Sequence, residues 1–67
     1  NYSAARVIEN VYNKGERYAE FMFATENIQS VFEENPEEFI EKIQKQLSNV
    51  FINGYSNERD TLILFFE

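Results

Sequence analysis

Arg17-Tyr18-Ala19-Glu20-Phe21-Met22-Phe23-Ala24-Thr25 decides the fold of this chain, because it fits two periodicities at once. Read at steps of three and four, Tyr18, Phe21, Met22 and Thr25 lie on one face of a helix, and Ile28 and Phe32 continue that stripe. Read at steps of two, Ala19, Phe21 and Phe23 lie on one face of a strand. The stripe runs through Phe32 without a change of period, whereas a strand has to stop near Thr25. On that ground the segment 16–34 is expected to be helical.

The segments on either side carry more local signals. Ser3 is suited to cap a helix, and Ala4, Val7, Ile8 and Val11 recur at helical spacing. Asn13-Lys14-Gly15 resembles a helix end, since glycine tolerates the left-handed conformation found there. A helix over 4–13 follows, although the two stripes also join into one long helix with a weak point at Gly15.

Downstream, Asn35 is a good cap, Pro36 suits the first helical position, and Glu38 stands where it can reach back to the cap. Phe39, Ile43, Leu47, Val50 and Phe51 then form a stripe that predicts a helix over 36–52, closed by Asn53-Gly54. The end of the chain, Leu62-Ile63-Leu64-Phe65-Phe66, is an apolar run that reads as a buried strand or as a short helix capped by Ser56 or Asn57. A strand there needs a neighbour, and within the chain 17–25 can supply it. The two segments are therefore linked: both are strands or neither is. The expectation is one small domain over 1–67, mainly α, an antiparallel helical hairpin or bundle with a C-terminal tail. The alternative is a small α+β domain with strands near 17–24 and 60–66.

Composition narrows the function. A chain of 67 residues buries only about 60% of its unfolded surface, so its stability margin is thin. It has no cysteine and no histidine, which removes disulfides, thiol chemistry, the usual zinc ligands and the commonest catalytic base. Gly15 and Gly54 stand alone, so there is no glycine-rich phosphate loop. Paired carboxylates can hydrolyse glycosides, but they need a cleft that a domain this small has little volume to form. No enzyme activity and no cofactor are expected.

Twelve acidic residues against six basic ones give a net charge of −6. That sign opposes direct binding of nucleic acid and of anionic membranes. No apolar run is long enough to span a bilayer, and Asn1-Tyr2-Ser3-Ala4 does not resemble a signal peptide, so a cytoplasmic setting is expected. Because the sequence does not open on methionine, trimming or processing at that end is also expected.

Five of the acids, Glu33, Glu34, Glu37, Glu38 and Glu41, fall within nine residues. As ligands for a hard cation they lack the alternating loop spacing of a calcium site, and Pro36 interrupts them, so no metal is expected. Set on a helical scaffold, they can instead imitate the phosphates of DNA and occupy a basic groove on another protein. Small acidic phage proteins that act in this way are an analogy of size, charge and fold type; no sequence motif is shared.

The aromatic content, seven Phe and four Tyr, is high for so small a domain. Phe23, Ile40, Tyr55, Phe65 and Phe66 lie off the expected core stripes and are the expected apolar contacts for a partner. The function expected from these features is a non-catalytic, acidic protein-binding module that inhibits or regulates another protein. The alternatives are a DNA mimic and a structural or oligomerisation subunit of a larger assembly, with a symmetric homodimer as the simplest self-association.

Overall fold

The computed structural model describes residues 4–67, and Ser3, the expected cap of the first helix, lies outside them. The elements run α1 (Ala4–Asn13), β1 (Tyr18–Met22), α2 (Glu26–Glu34), α3 (Pro36–Gln44), β2 (Ile52–Glu58) and β3 (Thr61–Phe66). The three strands form an antiparallel sheet in the order β1-β3-β2. The fold is thus α+β, and the mainly helical expectation is corrected.

The correction turns on 17–25. Tyr18 pairs with Phe65, Ala19 with Leu64, Glu20 with Ile63, Phe21 with Leu62 and Met22 with Thr61. Two further bonds, from the Phe66 amide to the Arg17 carbonyl and from the Phe23 amide to the Asp60 carbonyl (each 2.9 Å), extend the ladder at both ends. The strand face carrying Ala19, Phe21 and Phe23 is turned inward, and Ala19 is fully buried. The helical stripe breaks at Thr25, which adopts an extended conformation (φ −144°, ψ 161°). Its Oγ1 accepts from the Ile28 amide at 3.1 Å and caps α2.

The first helix matches its expected span. Beyond Asn13 the amides of Lys14, Gly15 and Glu16 bond back to the carbonyls of Val11 and Tyr12, and Gly15 takes φ 95°. A Cβ added at Gly15 meets nothing within 4 Å, so a substitution there is penalised through the backbone alone. Gly15→Ala is expected to lower stability by about 1–2 kcal/mol, the cost of a left-handed L-residue. Urea unfolding followed by circular dichroism reads this directly, and Gly15→Asn should lose less than Gly15→Ala.

Asn35 ends α2 and starts α3. Its Oδ1 accepts from the Glu38 amide and its Nδ2 donates to Glu38 Oε1, each at 3.3 Å, with Pro36 in the first turn. This boundary agrees with the sequence. The far end of α3 does not, since the helix stops at Gln44 rather than at 52. The Gln44 side chain donates from Nε2 to the Val50 carbonyl (2.7 Å) and accepts at Oε1 from the Ile52 amide (2.8 Å). One amide side chain thereby holds the segment 45–51 closed and turns the chain into β2. Leu47 and Val50 of the expected stripe are buried all the same, but Phe51 is exposed.

Gly54, expected to close a helix, lies in β2 at a bulge that separates the Ile52–Phe66 and Gly54–Phe65 pairs. A two-residue turn, Arg59-Asp60, joins β2 to β3, with Arg59 at φ 59°. The core consists of Ile8, Ala19, Phe32, Leu47, Val50, Leu62, Leu64 and Phe66. Phe32 is its centre. Its ring stands 5.4–5.5 Å from those of Phe23, Phe39 and Tyr55.

Candidate protein-binding site

All three helices pack against one face of the sheet, the face of Ala19, Leu62, Leu64 and Phe66. Alternation along the strands sends the other side chains to the opposite face. The register sets Tyr18 beside Phe65 and Gly54, Glu20 beside Ile63 and Ser56, and Met22 beside Thr61 and Glu58. Nothing in the described residues covers this face. Met22 is 71% exposed, Tyr18 48% and Phe65 41%, values that mark bulky apolar groups facing water rather than core. Phe51, at 60%, precedes β2, and its carbonyl accepts from the Glu67 amide at 2.9 Å beside the end of β3. One end of the face is thus aromatic, and the other, near the turn, is polar, with Glu20, Glu58, Arg59 and Asp60 around a shallow basin over Ile63.

A second concavity, of about 310 Å³, runs between α3 and β2. Ile40, Ile52 and Tyr55 supply its apolar surface, and Glu37 and Glu41, one helical turn apart on α3, supply its acidic side. A third, of about 370 Å³, opens among α1, β1, α2 and α3 and is lined wholly by apolar residues, with Phe21, Phe23, Phe39 and Leu64 deep in it. Among the described residues no titratable group lines this third cavity.

The structure divides the residues picked out in the sequence. Tyr55 and Phe65 are exposed as expected, Phe65 on the open sheet face and Tyr55 on the opposite side. Phe66 is corrected: it is only 5% exposed and packs edge-on against Tyr12, with ring centres 6.2 Å apart, so it belongs to the core. Phe23 and Ile40 are half-buried and pack against that core. Glu33, Glu34, Glu37, Glu38 and Glu41 are all exposed. They do not share one environment. Glu33 accepts from Gln29 and Asn57 (3.1 Å each) and Glu38 is tied to Asn35, whereas Glu37 and Glu41 enter no side-chain hydrogen bond among the described residues.

Tyr18, Met22, Phe51 and Ile63 were not singled out in the sequence. The signal for two of them was present: if Ala19, Phe21 and Phe23 face inward on a strand, Tyr18 and Met22 must face outward. Among the described residues no group of three or more acidic, histidine or cysteine side chains is placed to hold a metal ion. No helix of the described residues is long and apolar enough to cross a membrane. Comparison with protein-family models, with curated proteins and with solved structures found no match to this chain.

Proposed function

We propose that this chain is a non-catalytic, acidic protein-binding module that inhibits or regulates a partner by occupying its surface. The observation that carries this reading is the uncovered sheet face. A domain of 67 residues has few large apolar groups to spare, yet Tyr18, Ile63 and Phe65 stand on the side away from the helices, and Met22 at the sheet edge is 71% exposed. Contiguous exposed apolar groups rimmed by charge are characteristic of association surfaces. The net charge of −6 then steers encounter toward a basic partner and speeds association. A cytoplasmic setting, and kinship of mechanism with phage-type inhibitors, belong to the same proposal.

The test is a pair of substitutions, Tyr18→Ser and Phe65→Ser. The two rings are cross-strand neighbours, so each change should cost only about 0.2–1 kcal/mol of stability. Affinity for the physiological partner should fall much further, by roughly thirtyfold or more, as for a central aromatic anchor. Calorimetry on the folded variants separates the two effects, and unchanged affinity in both would refute the reading. The same titration at two salt concentrations addresses DNA mimicry. A phosphate mimic would lose affinity steeply with salt, while an aromatic anchor would respond little. Light scattering of the isolated chain addresses the oligomerisation subunit and the homodimer.

A further inference from the structure

The free edge of β2 and the concavity beside it form a second surface, with a different occupant. In the sheet, residues of β3 alternate between its two neighbours. The bonds Phe66–Arg17 and Phe23–Asp60 fix the even-numbered residues of β3 as those whose backbone groups hydrogen-bond to β1. Thr61, Ile63 and Phe65 therefore bond to Glu58, Ser56 and Gly54. Tyr55 and Asn57 consequently turn their backbone N–H and C=O groups outward. The next outward amide, that of Ile52, is already taken by Gln44. Among the described residues, two residues' worth of unpaired donors and acceptors thus line an open strand edge, a template for one more strand.

What stands beside that edge selects the strand. Ile40, Ile52 and Tyr55 offer apolar contact, and Glu37 and Glu41 present two carboxylates that enter no side-chain hydrogen bond among the described residues. Among the described residues no basic side chain lines the concavity. We infer that β2 accepts an extended, basic segment of a partner protein as a fourth strand, with an apolar side chain over Ile40 and Tyr55 and a Lys or Arg two residues away facing Glu37 and Glu41. Spacing by two keeps both side chains on the inner face of the added strand. A second copy of this chain does not fit. Pairing β2 with itself brings the Glu37 and Glu41 of both copies to one seam, in molecules that each carry −6. This surface goes beyond the open sheet face proposed above and stands or falls separately from it.

The probe is an acetylated, amidated heptapeptide, Thr-Lys-Thr-Ile-Thr-Lys-Thr, titrated into the isotope-labelled protein and followed by amide NMR. The expected result is a set of shifts along β2 and α3, with hydrogen-exchange protection gained at Tyr55 and Asn57 and not at Ser56. The acidic control Thr-Glu-Thr-Ile-Thr-Glu-Thr should bind at least tenfold more weakly. The double variant Glu37→Gln/Glu41→Gln, both positions exposed, should stay folded and lose at least tenfold for the lysine peptide. Four results would overturn the inference: no binding at millimolar peptide, equal binding of both peptides, shifts centred on Tyr18, Ile63 and Phe65, or self-association of the chain through β2. The third of these would leave the open-face proposal standing.

Discussion

Phe32→Ala is expected to unfold the domain at room temperature. Phe32 is 1% exposed and sits at the meeting point of α2, α3, β2 and the end of β1. Its ring makes near-perpendicular contacts with Phe39 and Tyr55 and a tilted one with Phe23, all within 5.5 Å. Truncating a buried phenylalanine costs about 3–5 kcal/mol, through lost transfer energy and the cavity left behind. The edge-to-face contacts add to that cost. Natural domains have roughly 0.05–0.15 kcal/mol of stability per residue, so a chain this short has roughly 3–10 kcal/mol in total. The loss cancels the whole margin if that margin lies in the lower half of its range, which is where a domain this short belongs. The near-ultraviolet circular dichroism, which reports on packed Tyr and Phe rings, should collapse in Phe32→Ala. Phe32→Leu keeps most of the volume and should remain folded with a lowered melting temperature. A cooperative, near-native melt for Phe32→Ala would show that the aromatic cluster is not the centre of the core.

Gln44→Leu is expected to be the most damaging substitution of a polar residue, at about 2–3 kcal/mol. The change conserves much of the volume but removes both partners of two part-buried backbone groups, the Val50 carbonyl and the Ile52 amide. An unsatisfied buried group costs roughly 1–3 kcal/mol. Here water can reach part of the way in, which keeps the sum at the lower end. The readout that separates this mechanism from simple loss of packing is local. Hydrogen exchange at Ile52 should accelerate more than exchange in β3, because the 45–51 segment opens before the sheet does. Equal acceleration throughout the molecule would mean that Gln44 acts on global stability alone.

Parts of this architecture were legible because the chemistry is local. Ala4, Ile8 and Val11 with Gly15 specify α1, and Asn35-Pro36 with Glu38 specifies the start of α3; each set acts within a few residues. The segment 17–25 was not decidable in the same way. Tyr18, Phe21, Met22 and Thr25 satisfy a helix, and Ala19, Phe21 and Phe23 satisfy a strand. What selects the strand is pairing with Leu62–Phe65, far along the chain, so tertiary context overrides local spacing. The linkage between the two segments was visible, and it holds: both are strands.

The second strand was missed for the opposite reason. Ile52-Asn53-Gly54-Tyr55-Ser56-Asn57-Glu58 lacks apolar alternation, and the Arg59-Asp60 turn lacks the glycine that usually marks a hairpin. With β2 unseen, α3 was extended through Gln44, whose role depends on contacts six and eight residues ahead. The surface followed the same pattern. Exposure of Phe65 and Tyr55 was foreseen, whereas burial of Phe66 and exposure of Tyr18 and Met22 depend on which face of a sheet each residue occupies. That cannot be assigned before the sheet is known.

The middle strand of the sheet is also the last to be synthesised. While the ribosome is still making β3, β1 and β2 have no neighbour to bond with, and β1 must wait for a segment that begins at Thr61 and lies beyond two helices and β2. During translation the nascent chain can form its helices, but its sheet and the binding face built on it arise only after Phe66 has cleared the exit tunnel. Folding should therefore be slow for the size of the domain, limited by a long-range closure rather than by local structure. Until then, the unpaired Tyr18–Met22 segment is the part of the molecule most exposed to mispairing with other chains.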